Sequence, residues 1–179
     1  MNRAALISIR PNYAWGILSG QKRVEFRRRR VGQQITHLAL YVTKPIMGVM
    51  GVVEVSQLVS GSPRVIWELF NHIGGIEETD FVRYFEGAEK AHAYKLGRVF
   101  GTNCPVALGH YGLPERPPQS FQYLSAQTFD WVRSEMSENH EYFRFKSGPK
   151  DVFKSISEQL KAKGIVINPD DLWVDRKED

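Results

Sequence analysis

The sequence predicts an α+β fold: a small strand-rich body with flanking helices and a helical C-terminal extension. Three observations carry this. Directly after Gly20, apolar Val24 and Phe26 alternate with charged Arg23, Glu25 and Arg27, the period of a strand with its charges on one face. Two further runs, His37–Val42 and Val49–Val59, are rich in β-formers, and Gly48 and Gly51 fit the bulges or sharp bends of a small closed barrel. Apolar side chains recur at helical spacing after Pro63 and again after Ser125. The predicted organisation is a first domain over residues 1–124 and a helical extension with an acidic tail over 125–179.

In chain order, Ala4 to Arg10 reads as a buried first strand, stopped by Pro11, which opens a helix over about Asn12 to Ser19. Tyr13 and Trp15 are two apart and cannot share one helix face, so Trp15 either stacks on a ligand or packs beneath a loop. Gly20 sits where a helix stops, since glycine takes the left-handed cap conformation without steric penalty. After the charged strand, Val31 to Gln34 is a polar turn. Ser62 caps a helix that begins at Pro63 and ends at Gly74-Gly75. A short helix follows through Phe81 to Phe85, and His92 to Leu96 alternates like a strand. Gly97 to Pro118 reads as a loop-rich connection with a strand-like piece at Val106–Leu108. Gln119 to Leu124 reads as a final strand. Two amphipathic helices close the chain, one from Ser125 to about Glu138 and one from Pro149 to Lys163.

The 179 residues are 42% hydrophobic and 25% charged, an ordinary globular balance. No apolar run is long enough to cross a membrane, and the N-terminus lacks a secretory pattern, so a cytoplasmic location is expected. The net charge of +4 is unevenly spread. Residues 1–30 hold eight Lys/Arg and one acid, Glu25, whereas the last fifteen hold five acids against Arg176 and Lys177. A basic N-terminal region suggests an anionic partner. The five histidines never fall at metal-site spacings, and the one cysteine, Cys104, reads as an inert buried thiol; no metal and no cofactor are expected. No phosphate-binding loop, nucleophile elbow or dinucleotide fingerprint is present. What remains for chemistry is Lys22 with Glu25: a partly desolvated Lys loses its proton near neutrality, and a neighbouring carboxylate can relay it.

Leu6-Ile7-Ser8-Ile9-Arg10-Pro11, then Ile17 to Lys22, then Val24-Glu25-Phe26-Arg27 resembles the signature of the ASCH domain, whose centre is the pattern G-x-K-x-x-E-x-R. Tyr41-Val42-Thr43 with Val49 to Val55 is similar to its next strands, and Pro117 to Phe121 to a closing strand; the likeness spans about residues 4–124. It implies a PUA-like small β-barrel and a basic cleft that binds RNA or modified bases. Some small members instead hydrolyse the amide of an N4-acylated cytidine with a Lys, a nearby Thr and a distant Glu. Lys22 matches that Lys; Arg23, Val24 and Glu25 stand where the Thr would be, and no particular distant Glu is singled out. A ribonuclease activity is also associated with the family, though no residue pair here commits to it.

Two readings follow. In the first, RNA or another single-stranded nucleic acid binds with Arg10, Lys22, Arg27 and Arg28 on phosphates, while Glu25, Tyr41, Thr43, Gln119 and Ser120 shape a base pocket. In the second, the chain is an amidohydrolase on a modified nucleoside with Lys22 and Glu25 catalytic. A third role, protein interaction through the C-terminal helices, is also open.

Overall fold

The computed structural model describes residues 3–32 and 34–137. In order they form β1 (Ala4–Ile9), α1 (Pro11–Leu18), β2 (Val24–Arg27), β3 (His37–Val42), β4 (Gly48–Gly61), α2 (Pro63–Gly74), α3 (Glu78–Phe85), β5 (Ala91–Val106), β6 (Phe121–Leu124) and α4 (Ala126–Ser134). The six strands make one mixed sheet, ordered β2-β5-β4-β3-β1-β6. β1 runs parallel to β3 and the other neighbours are antiparallel. The α+β architecture is therefore as expected. The backbone ladder does not join β2 to β6 among the described residues, so backbone pairing does not supply the closure that a barrel requires.

Local sequence explains most boundaries. Ser62 Oγ accepts from Val65 N at 3.4 Å at the start of α2, and Pro63 fills the first helical position. The helix ends where Gly75 takes φ 58°, ψ 37°, a left-handed cap. One core is aromatic: Val24 and Phe26 of β2 and Ala91 and Ala93 of β5 meet Ile66, Phe70, Phe81 and Phe85 of α2 and α3. Phe26 and Phe81 stand edge to face with centroids 5.1 Å apart. Each such ring gains about 1.5–3 kcal/mol on full burial, so these contacts fasten both helices to the sheet. A second core sets Phe129 and Val132 of α4 with Leu6, Ala39, Val52 and Phe100 of the sheet. The helix that the sequence places at the start of the extension thus packs in the sheet's own core. The expected helix to Lys163 and the acidic tail lie outside the described residues.

Two expectations need correction. β5 does not stop at Leu96; it runs sixteen residues, from Ala91 to Val106, through Gly97, Gly101 and Pro105. The glycines there mark close approach rather than loop. Gly51 pairs with Gly101, and a Cβ on Gly51 would lie 2.6 Å from Leu18 Cδ2 and 3.1 Å from Phe100 O. A Cβ on Gly48 would meet Pro105 Cβ at 2.6 Å. Register shifts between Val49/Gly51, Val53/Val55 and Val55/Gln57 bend the long β4–β5 ribbon. The second correction is Cys104, which is exposed rather than buried. Trp15, by contrast, is buried at 6% exposure and is packed inside rather than offered to a ligand.

Candidate nucleic-acid interface

The turn after α1 is built around Lys22. Gly20, at φ 79°, reverses the chain, and Lys22 N donates to Gly16 O at 2.7 Å. The Lys22 side chain then runs through a slot that two glycines leave open. A Cβ on Gly16 would lie 3.0 Å from Lys22 Cβ, and one on Gly75 would lie 2.8 Å from it. Its Nζ donates to Gly74 O at 2.6 Å, at the negative end of α2, and lies 3.6 Å from Glu25 Oε2. The Phe26 and Tyr13 rings flank the ammonium at 5.0 and 5.4 Å. Burial pushes the Lys22 pKa down from the usual lysine value, and the Glu25 carboxylate opposes that push.

The charged face of β2 is turned inward, not to water. Glu25 is 6% exposed, and its Oε1 lies 3.6 Å from Arg27. The Arg27 guanidinium donates to Ser8 O of β1 at 3.3 Å and to Ser120 O just before β6. One side chain therefore spans the two ends of the strand order. Ser8 Oγ reinforces this by donating to Pro118 O at 2.7 Å. Tyr41 stands opposite Ser8 in the parallel β1–β3 register, is buried, and has its pKa raised by that burial. Thr43 N donates to Ile9 O at 2.9 Å, which sets Thr43 beside Arg10 where β1 and β3 end.

The structure thus gathers Ser8, Glu25, Arg27 and Ser120 into one neighbourhood, with exposed Gln119 next to Ser120 and exposed Arg10 next to Thr43, whereas Tyr41 packs in the core with Phe100, Leu113 and Phe129. Lys22 is 3% exposed and lies behind this group, so the expected direct phosphate contact is not available to it as placed. Arg28 points elsewhere: its guanidinium donates to Tyr84 O and Glu86 O at 3.3 and 3.1 Å, where α3 ends. Arg29 and Arg30 are exposed beside it. Sequence reasoning numbered neither Tyr94 nor His92 among the site residues. They alternate with Ala91 and Ala93, so they lie on the opposite face of β5 from the aromatic core, across from Glu25 and Arg27. Tyr94 Oη accepts from Val31 N at 2.8 Å, tying the segment after β2 to β5. The alternation at His92–Leu96 carried the signal, but the pairing of β5 with β2 was needed to use it. Among the described residues, no group of three or more His, Cys, Asp or Glu is placed to hold a metal ion, and no helix is long and apolar enough to cross a membrane.

A mixed sheet with inward-facing paired charges and exposed arginines defines a small α+β domain. Comparison with known proteins gives the family. The chain is 35% identical over 128 residues to a protein of Zymomonas mobilis named as an ASCH domain-containing ribonuclease, covering 68% of this chain and 84% of that one. The crystal structure of the ASCH protein from Zymomonas mobilis superposes with a TM-score of 0.66 at 30% identity, covering 75% of this chain and 96% of that chain. A tyrosine-to-phenylalanine variant of that protein gives the same TM-score at 29% identity, over 75% and 99%. No protein-family model matches the chain. The chain belongs to the ASCH domain family.

Proposed function

We propose that this protein binds RNA, with single strands preferred, through the side of the sheet that carries Glu25, Arg27 and Ser120. The observation that carries the reading is the line Lys22–Glu25–Arg27. Its charges are already paired and held by Gly74 O, Ser8 O and Ser120 O, so the wall they form needs no rearrangement to receive a ligand. Exposed Arg10, Arg29 and Arg30 supply phosphate contacts, while Thr43, Gln119 and Ser120 offer hydroxyl and amide groups to an unstacked base. The name of the Zymomonas relative supports RNA as the partner.

The alternative, hydrolysis of an N4-acylated cytidine, requires Lys22 Nζ to reach a substrate. That nitrogen is committed to Gly74 O and Glu25, which favours the binding reading. Fluorescence anisotropy with single-stranded RNA, single-stranded DNA and duplex DNA tests it. RNA affinity should fall about tenfold or more between about 50 and 200 mM salt, and Arg10→Gln with Arg29→Gln should weaken it at either concentration. Failure to bind any of the three overturns the reading and returns the choice to a free modified nucleoside.

A further inference from the structure

The connection from β5 to β6 carries an aromatic platform that stands apart from the wall of Glu25, Arg27 and Ser120. Tyr111 is 67% exposed, and among the described residues of that connection and of α4 it is the one large apolar side chain turned to water. Its ring lies against Trp131 of α4 with centroids 3.9 Å apart and planes 19° from parallel. One face of Tyr111 is therefore stacked and the other is open. Trp131 in turn packs against the sheet core that holds Phe129 and Val132, so the platform has a rigid back.

The backbone holds the ring there against its own preference. Tyr111 has φ 51°, a left-handed conformation that bulky side chains avoid. Two hydrogen bonds close the turn around it: Gly109 N donates to Pro114 O at 3.0 Å and Leu113 N to His110 O at 2.9 Å. Leu113 anchors the turn in the core, and a Cβ on Gly112 would run into Thr128 Oγ1, so this backbone lies directly on α4. A large ring kept in water by a strained residue on a braced turn gains little from burial, and such strain gathers where proteins contact ligands.

The surroundings favour a small planar occupant. Exposed His110 precedes Tyr111 and exposed Asp130 precedes Trp131, so the open ring face has polar neighbours rather than an apolar patch. A folded partner needs about 800 Å² of surface on each side, whereas one ring face suits one planar ring. Position supplies its source. Pro114 O closes the Tyr111 turn, Pro118 O accepts from Ser8 Oγ, and Ser120 O accepts from Arg27. Four residues separate Pro114 from Pro118, so their Cα atoms lie within about 14 Å, and Tyr111 lies within about 11 Å of Pro114. A strand with about 3.4 Å per nucleotide covers the sum with about eight residues. We propose that Tyr111, backed by Trp131, is a base-stacking subsite for single-stranded RNA, outside the wall of Glu25, Arg27 and Ser120. The inference rests on the RNA reading above. The subsite takes an unstacked base by its π-face, so it adds affinity without choosing among bases.

The test titrates the full chain into a labelled single-stranded RNA of about twelve nucleotides, and into an abasic strand of the same length, at about 50 and 200 mM salt. Tyr111→Ala should weaken RNA binding by about 5-fold or more, the loss of one stacked base. The factor should be the same at both salt concentrations, because the ring carries no charge to screen. Tyr111→Phe keeps the π-face and should bind like wild type. The abasic strand should bind wild type and Tyr111→Ala alike. Melting temperatures of both variants should stay near wild type, since the side chain is exposed. Unchanged RNA affinity in Tyr111→Ala, an equal penalty on the abasic strand, or a loss in Tyr111→Phe as large as in Tyr111→Ala overturns the subsite and leaves the RNA-binding reading intact. A Tyr111-dependent dimer in sedimentation velocity, with RNA affinity unchanged, gives the ring to a second copy of the chain and likewise overturns it. Absence of RNA binding by the wild type removes both.

Discussion

Arg27 gives the sharpest test of how this fold is held together, because one guanidinium does what backbone pairing does elsewhere in the sheet. Arg27→Met keeps the length and apolar stem of the side chain and removes the fork. Three consequences follow from the geometry. Ser8 O and Ser120 O lose charge-assisted donors, each of the kind worth about 1.5–3 kcal/mol. Glu25, whose side chain is 8% exposed, loses one of its two counter-charges. Loss of one partner from a buried pair costs about 3–5 kcal/mol, but Lys22 still faces Glu25 at 3.6 Å, which places that contribution at the low end. The 14% exposure of Arg27 lets water replace part of the lost bonding. The net expectation is a loss of about 3–5 kcal/mol, a large share of the about 5–15 kcal/mol available to a domain.

Urea unfolding followed by tryptophan fluorescence and far-UV circular dichroism measures this loss. With m near 2 kcal/mol/M, the midpoint should fall by about 1.5–2.5 M at unchanged m. Amides of β6, which among the described residues pairs with β1 alone, should exchange faster than those of β3. Arg27→Lys should recover little, since an ammonium retains the charge but cannot reach two carbonyls with a planar fork. A loss below about 1 kcal/mol for Arg27→Met, or full rescue by Lys, would refute the argument that this side chain joins the two ends of the strand order.

Two further outcomes follow from packing and titration. Gly51→Ala places a methyl 2.6 Å from Leu18 Cδ2 and 3.1 Å from Phe100 O, so it should cost about 1–3 kcal/mol; a calorimetric melting temperature equal to wild type would count against the close approach. His37 and His92 both have pKa values pushed below 6.5, chiefly by burial, so the unfolded chain binds more protons in that region. Their contribution is complete above pH 6.5 and is lost as pH falls from there through the folded-state values. Melting temperatures across about pH 5 to 8 should decline on the acid side, and less steeply in His92→Gln; an unchanged slope would refute the assignment.

Much of the fold was legible because its signals are local. Ser62 and Pro63 begin α2 and Gly75 ends it, while the alternation of Val24 and Phe26 against charged neighbours marks β2. The extension of β5 past Leu96 was not legible, because glycines and a proline read as a loop until Gly51 is known to pair with Gly101. The same limit applies to the site. The period-two pattern puts Arg23, Glu25 and Arg27 on one face, but it cannot say that β2 turns that face toward Ser8 and Ser120, which lie 19 and 93 residues away. Nor can it say that the α2 terminus, 52 residues on from Lys22, supplies the acceptor for its ammonium.

These long-range partners change what the motif from Gly20 to Arg27 is for. A run of basic residues suggests a surface that meets phosphate directly, yet Lys22 and Arg27 spend their donors on Gly74 O, Ser8 O and Ser120 O. Neutralising a phosphate would require either residue to give up a bond that holds two elements together. Exposed Arg10, Arg29 and Arg30 pay no such penalty. On the RNA-binding reading proposed above, inward charges fix the shape of the wall, outward charges supply affinity, and salt screens the second set far more than the first. Salt should therefore weaken binding without loosening the site, so the salt dependence of RNA affinity and that of stability report on different arginines.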